Sequence, residues 1–200
     1  MRVEPIKSDS APWILRPFFW NQRRKYGRVL DAARVWGRSP RLFLGVALLY
    51  GMIDRKRSSI EPVLRSLITV RVAQINGCAF CIDINSATLL KRGVPTEKVD
   101  AIASWWESSI FDERERAALD FAEAISRSHT DVEDHQLDAL RRHFDDDAIV
   151  ELTGLIAFQN MSSMFNSALD IPSQGFCPLT IMVKRRAEGA PSTRLPRTER

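Results

Sequence analysis

Apolar residues recur every three or four positions through most of the chain, which is the period of an amphipathic helix. No segment alternates apolar and polar residues for long enough to indicate a strand. The pattern therefore predicts an all-α fold. The predicted helices begin, in chain order, near Tyr26, Ser39, Ser58, Cys78, Pro95, Asp112, Thr130 and Asp145.

Residues with strong positional preferences mark the ends of these helices. Ser39 followed by Pro40 is typical of a helix start, and Asn76-Gly77 ends one helix before the next begins. An acidic run at 145–147 suits the N-terminus of a last helix that extends to about Leu169. Three further starts are predicted from capping pairs three residues apart, at Ser58/Glu61, Asp112/Glu115 and Thr130/Glu133.

Composition and charge exclude several classes of protein. Apolar residues make up 44% and charged residues 27% of 200 residues, as in an ordinary globular protein. Residues 184–200 hold six basic and two acidic residues, which equals the whole net charge of +4. Because the rest is neutral, we expect no nucleic-acid partner. We divide the chain into an aromatic-rich helical extension (1–38), a helical domain (39–183) and a basic, disordered tail (184–200).

The distribution of apolar residues also argues against a membrane protein. The longest apolar run, residues 42–53, has 12 residues, whereas a spanning helix needs about 20. The N-terminus lacks the continuous apolar region and cleavage site of a signal peptide. Three cysteines, two of them close together, do not form a secreted disulfide framework. We therefore expect a cytoplasmic protein without a membrane partner.

The segment NGCAFCIDIN at residues 76–85 carries the most specific chemistry in the chain. A CxxC at the start of a helix is a redox pair, a pair of structural thiols, or half of a metal site. Zinc requires four ligands, but the remaining candidates are not in ligand spacing: Cys177, His129, His135 and His143. The redox interpretation is favoured, without metal or cofactor. We expect a reversible disulfide between Cys78 and Cys81.

The surroundings of this motif resemble a known family. Residues 65–93 (RSLITVRVAQINGCAFCIDINSATLLKRG) are similar to the carboxymuconolactone decarboxylase and alkylhydroperoxidase AhpD superfamily, and residues 148–172 resemble its following helix. The resemblance implies an all-helical fold, assembly into a homo-oligomer (dimer, trimer or hexamer) and thiol-dependent peroxidase chemistry. It also implies that Cys81 forms the sulfenic acid and that Cys78 is exposed to partner proteins.

The chain departs from the family at two relay positions. AhpD-type peroxidases have a glutamate and a histidine where this chain has Ser66 and Asn85. An ordinary thiol is only about 3% ionised at pH 7, so peroxide attack without a base is slow. The helix N-terminus favours ionisation of Cys78, opposite to the family's assignment. The candidate replacements, each otherwise a solvated surface residue, are Asp83, Glu61, Glu151 or a histidine brought in by folding.

These observations lead to one functional prediction and two alternatives. The prediction is an antioxidant, peroxiredoxin-like oxidoreductase that reduces a peroxide or a partner disulfide and is recharged by an unknown reductant. The alternatives are a carboxymuconolactone decarboxylase-type enzyme and a non-enzymatic, redox-responsive oligomer. The exposed apolar run at 42–53 and the aromatic N-terminus favour a homo-oligomer in each case.

Three further features have structural interpretations. Cys177 is expected to be a free thiol, and the Trp105–Trp106 pair is expected in the core or at a subunit interface. A polar row lies inside the apolar last helix, and it either lines a cavity near the CxxC or makes hydrogen bonds across an interface. Its members are Gln159, Asn160, Ser162, Ser163 and Asn166.

Overall fold

The computed structural model describes residues 1–127 and 132–178, and every regular element within them is a helix. The predicted all-α class is confirmed. The α-helices are α1 (Arg16–Tyr26), α2 (Asp31–Trp36), α3 (Pro40–Ile53), α4 (Pro62–Ile75), α5 (Ala79–Lys91), α6 (Thr96–Ala101), α7 (Glu113–Arg127), α8 (Asp134–Arg141) and α9 (Asp146–Ala168). Short 3₁₀ turns lie at Ser8–Ser10, Trp13–Leu15 and Ile102–Glu107.

Helix α4 is the centre of the fold. It packs against α5, α7 and α9, and nine of its 14 residues are buried. A helix that is apolar on most of its circumference is stable only when neighbours cover it on several sides. The start of α5, which carries the CxxC, thus follows directly on a helix that its neighbours cover on several sides.

The buried apolar residues form two clusters. One joins α4 to α7, α8, α9 and the turn at Ile102–Glu107. The other lies between the N-terminal helices, α3 and the start of α5, and it contains both Cys78 and Cys81. Residues 1–38 therefore contribute one side of the packing around the CxxC.

Several predicted helix ends are confirmed. Helix α3 begins at Pro40, and α5 begins directly after Cys78. At the start of α7, the backbone N–H of Glu115 donates to Asp112 at 2.8 Å, and that of Asp112 donates to Glu115 at 3.1 Å. Asp145 caps α9 by accepting from the backbone N–H of Ala148 at 2.8 Å.

Two predicted features are wrong. Ser58 does not cap α4, because Glu61 is the N-cap and Pro62 opens the helix, where its missing N–H costs nothing. The continuous helix predicted from Tyr26 to Trp36 is interrupted by Gly27, whose φ of 74° ends α1 before α2 begins.

The described segment that follows α9 (residues 169–178) folds back onto α5. Asp83 accepts hydrogen bonds from the backbone N–H groups of Gln174 and Cys177, both at 2.7 Å. The predicted cap Thr130 and the predicted basic tail (184–200) lie outside the described residues. The N-cap of α8 is Glu133, the other member of the predicted capping pair. Among the helices described, none combines the length and apolar character needed to cross a membrane.

Candidate functional site

The CxxC lies in the tight connection between α4 and α5. Gly77 has a φ of 61°, which allows the chain to turn, and the N–H of Cys78 donates to Ala73 at 3.0 Å. Cys78 and Cys81 form a disulfide with a Cα–Cα distance of 5.2 Å. The sulfur of Cys78 also caps α5 by accepting from the backbone N–H of Cys81 at 3.2 Å. The predicted pairing is present.

The two sulfurs face different surroundings. Cys78 is 1% and Cys81 is 3% exposed, so the exposure of Cys78 to partner proteins that the resemblance implied is wrong. Cys81, but not Cys78, lines an open cavity of about 390 Å³ whose walls include residues of α1, α2, α3, α5 and α9. Its aromatic wall is formed by Phe18, Tyr26, Trp36, Phe43, Tyr50, Phe80 and Phe158.

The sulfur of Cys81 has a hydrogen-bond donor from α9. The side-chain nitrogen of Asn166 lies 3.3 Å from this sulfur, and the indole N–H of Trp36 donates to the Asn166 oxygen at 3.2 Å. The Trp36 ring stacks on Phe165 with a centroid separation of 3.5 Å. Helices α2, α5 and α9 thus meet at the Cys81 sulfur.

Three of the five residues in the polar row of α9 line the cavity. Gln159, Ser162 and Asn166 line it, as the cavity interpretation predicted. Asn85 also lines the cavity and donates to Gln159 at 3.4 Å. Asn160 does not line the cavity, since it accepts from Asn76 and donates to the hydroxyl of Ser126.

A second polar group lies elsewhere on the cavity wall. Arg92 lines the cavity and donates to the hydroxyl of Ser66 at 2.6 Å and to Asp54 at 3.4 Å. Ser66 is 3% exposed and is not part of the wall, so of the two relay positions only Asn85 reaches the cavity. Tyr50 also lines the cavity, and its hydroxyl donates to Asp54 at 3.3 Å.

The three carboxylates considered as replacement bases have hydrogen-bond partners outside the cavity, and none of the three lines it. The expectation that Asp83 is solvated is wrong, because it is fully buried and holds the loop after α9. Glu61 is exposed, and a hydrogen bond from Arg114 lowers the pKa of its carboxyl. Burial raises the pKa of Glu151, but hydrogen bonds from Ser58, Ser59 and Arg55 outweigh this effect and lower it.

Histidines and metals do not supply a substitute in the described part of the chain. His135 and His143 do not line the cavity, and His129 lies outside the described residues. Within residues 1–127 and 132–178, no three His, Cys, Asp or Glu side chains converge as a metal site would require. Cys177 is a free, fully buried thiol, as predicted.

Sequence reasoning missed Trp36, Asp54 and Arg92. Trp36 and Asp54 come from segments without a recognisable motif, and Arg92 lies at the end of the 65–93 segment without a role assigned to it; the fold brings all three to the cavity wall. Besides the CxxC and Asn85, the polar row of α9 was the signal that pointed to the site.

Comparison with known proteins shows relatives of the same architecture. The chain is 47% identical over 177 residues to the uncharacterized protein YnjA of Escherichia coli (strain K12), covering 88% of this chain and 96% of YnjA. The crystal structure of debrominase Bmp8, a cysteine-to-alanine variant in complex with 2,3,4-tribromopyrrole, superposes with a TM-score of 0.79 at 26% identity. That match covers 92% of this chain and 97% of Bmp8.

Two further comparisons concern the family. A crystal structure described as an alkylhydroperoxidase AhpD core, a peroxidase-related protein from Ralstonia eutropha JMP134, has a TM-score of 0.80 at 21% identity. The match covers 88% of this chain and 93% of that chain, and it shows a shared fold. A model of the carboxymuconolactone decarboxylase family matches residues 40–124, which include the CxxC. The chain belongs to the carboxymuconolactone decarboxylase and AhpD-like superfamily that its CxxC segment resembles.

Proposed function

We propose that the protein is a thiol-dependent oxidoreductase that reduces a small organic hydroperoxide in the cavity beside Cys81. One observation carries the proposal: Cys81 lines the aromatic-walled cavity, while its sulfur is bonded to Cys78, which does not line it. This arrangement supports a mechanism in which Cys81 meets the substrate and Cys78 resolves the product. The family relationship supports the same chemistry.

The reaction balances as a two-electron reduction. The Cys81 thiolate attacks the distal oxygen of the hydroperoxide, the O–O bond breaks, and the leaving alkoxide takes a proton to become an alcohol. The resulting Cys81 sulfenic acid is then attacked by the Cys78 thiolate, which forms the S–S bond and releases water. An external dithiol restores the pair by disulfide exchange.

The geometry favours a small molecule over a protein disulfide as the oxidant. Both sulfurs are almost completely buried, so a partner protein reaches neither of them without a rearrangement. A volume of about 390 Å³ lies within the range of small-molecule sites, and the aromatic wall suits an apolar substituent. We place the reaction in the cytoplasm, where thiol reductants recharge such pairs.

Consumption of cumene hydroperoxide with dithiothreitol as donor tests the proposal. Cys81→Ser should abolish turnover, whereas Cys177→Ser, which removes a thiol outside the cavity, should retain it. Equal activity of the wild type and Cys81→Ser would contradict the proposal. If all three proteins are inert towards every oxidant tested, the non-enzymatic, redox-responsive oligomer is supported instead.

A second candidate is reductive removal of a halogen from a small aromatic ring. The observation that favours it is the similarity to a debrominase bound to 2,3,4-tribromopyrrole, together with the aromatic wall of the cavity here. In such a step the ring exchanges bromine for hydrogen, bromide leaves, and the two thiols supply two electrons by forming the Cys78–Cys81 disulfide.

Bromide release separates the two candidates. Reduced protein incubated with 2,3,4-tribromopyrrole should release one bromide for each disulfide formed if the second candidate is right. Bromide release without hydroperoxide consumption would favour dehalogenation over the peroxidase. Activity that survives Cys81→Ser on a carboxylated lactone would instead indicate decarboxylase chemistry, which needs no thiol.

A further inference from the structure

The hydrogen bonds around Cys81 form a directed chain that begins in the N-terminal part of the molecule. The indole N–H of Trp36 donates to the oxygen of Asn166 at 3.2 Å, and the nitrogen of Asn166 lies 3.3 Å from the Cys81 sulfur. Trp36 is 7% and Asn166 is 2% exposed, so water does not compete freely for either group.

The orientation of the amide follows from the chemistry of its neighbours. An indole nitrogen can only donate, so the Asn166 oxygen must face Trp36 and the NH₂ group must face the sulfur. Stacking of Trp36 on Phe165, at 3.5 Å between centroids, holds the indole in place. The sulfur of Cys81 is thereby supplied with a fixed donor rather than an acceptor.

Resting on the proposed function, we propose that Asn166 stabilises the Cys81 thiolate by hydrogen bonding and is a catalytic residue, with Trp36 as its positioning residue. A donor to the charged form of a group favours that form. This donor is distinct from the family's relay, whose glutamate and histidine are replaced here by Ser66 and Asn85. The amide stabilises the thiolate but does not take up the thiol proton.

Among the described residues, the side-chain donor to the Cys81 sulfur is Asn166 and not one of the charged or titratable groups nearby. Those on the cavity wall are Lys25 and Tyr26 of α1, Tyr50 of α3, Asp54 and Arg92. Wall residues from α2 and α9 carry no ionisable group. Asp83, two positions after Cys81, is occupied by two backbone N–H groups, and Cys78 accepts from the N–H of Cys81.

The same geometry distinguishes the two cysteines. The Cys78 sulfur is served by the N-terminus of α5, whereas Cys81 is served by Asn166. Each sulfur of the disulfide has a donor, but only Cys81 lines the cavity. The helix N-terminus then activates Cys78 to attack the sulfenic acid, and Asn166 activates Cys81 to attack the peroxide. The two cysteines have different steps, so activation of Cys78 by the helix does not conflict with the family's assignment of the sulfenic acid to Cys81.

The test follows the ionisation of Cys81 directly in the reduced full-length protein. Iodoacetamide alkylation of Cys81, measured from pH 5 to 10 by peptide mass spectrometry, gives the midpoint of its thiolate formation. Asn166→Asp replaces the donor by an acceptor and should raise this midpoint by about one pH unit or more, a tenfold loss of thiolate at lower pH. Trp36→Phe leaves the amide free to rotate and should raise it by a smaller amount.

Asn160→Asp is the matched control, since Asn160 lies on the same helix but bonds to Asn76 and Ser126. Its midpoint should equal that of the wild type. An unchanged midpoint in folded Asn166→Asp overturns the inference, and if that variant does not fold, an unchanged midpoint in Trp36→Phe overturns it. A shifted midpoint without turnover of any substrate would leave the inference intact and reject the proposed function; turnover with an unshifted midpoint would do the reverse.

Discussion

Arg92 donates a hydrogen bond to the hydroxyl of Ser66 at 2.6 Å, at the position where AhpD-type peroxidases have the relay glutamate. The same guanidinium contacts Asp54 and lines the cavity. Ser66 therefore connects α4 to the residue after α5 instead of serving as a base. A carboxylate placed at this position would form an ion pair with Arg92 and stay ionised.

This contact leads to unequal expectations for rebuilding the relay. Asn85→His should raise cumene hydroperoxide turnover by about 10²-fold, because position 85 lines the cavity one helical turn after Cys81 and general-base catalysis contributes about 10²–10⁴-fold. Ser66→Glu should add little, since Arg92 would hold its carboxylate away from the cavity. The measurement is initial rate with dithiothreitol, for each single variant and the double variant.

The Cys81→Ser version of each variant is the control, and it should be inert. A larger gain from Ser66→Glu than from Asn85→His would show that the buried position communicates with the sulfur in a way that this geometry does not account for.

Asp83 anchors the loop that follows α9, and its replacement should destabilise the fold. In Asp83→Asn, the new side-chain NH₂ group faces at least one of the two backbone N–H donors and leaves it without an acceptor. A buried unpaired donor lowers the free energy of unfolding by about 1–3 kcal/mol. We expect a fall in the thermal midpoint of about 2–12 °C for a protein of this size. Native-state alkylation of the buried Cys177 should also accelerate.

Asp138→Asn provides the matched comparison, because this carboxylate is 67% exposed. It should shift the midpoint by less than about 2 °C. If Asp83→Asn is equally harmless and Cys177 remains protected, the loop is held by contacts other than Asp83.

The sequence predicted the fold class and the redox pair because both depend on local patterns. Each of these patterns spans only one or two helical turns of sequence: the 3.6-residue period, the turn at Asn76-Gly77 and the CxxC. The contacts of Ser58 and Asp83 were not predictable in this way, since their partners lie 93 and 94 positions away along the chain, at Glu151 and Cys177. The role of Trp36 was not predictable for the same reason, because its partner Asn166 lies 130 positions away along the chain.

Self-association is expected from the apolar residues that α3 leaves exposed. Leu48 is 61% and Met52 is 57% exposed, and Trp13 and Trp20 near the N-terminus are 79% and 62% exposed. Surfaces of this kind mark interfaces. Light scattering at micromolar concentration should give a multiple of the 22.8 kDa monomer mass.

Leu48→Glu should lower that mass or weaken association at least tenfold, whereas Ser109→Glu, which adds the same charge at another exposed position, should not. A monomer mass for the wild type would reject the oligomer, and equal effects of both variants would place the interface away from α3.

Glu151 should make stability depend on pH in the acidic range. Its pKa is lowered in the folded protein, so its contribution is complete above the unfolded value near 4.5 and is lost as pH falls through the folded value. Glu151→Gln should therefore cost about 1 kcal/mol at pH 7 and nothing well below the folded pKa. Urea unfolding at several pH values measures the difference.

The exposed Glu4→Gln serves as the reference and should leave stability unchanged throughout. A cost for Glu151→Gln that grows as pH falls would have the wrong sign for this carboxylate and would reject its assignment as an ionised acceptor for Ser58, Ser59 and Arg55.

Trapping the oxidised form of Cys81 tests the central claim most directly. In Cys78→Ser the resolving thiol is removed, so one equivalent of cumene hydroperoxide should leave Cys81 as a sulfenic acid, which dimedone labels. Mass spectrometry should locate the adduct on Cys81, within the cavity, and not on Cys177. An adduct on Cys177, or labelling of Cys78 in Cys81→Ser at the same rate as Cys81 in Cys78→Ser, would contradict the account.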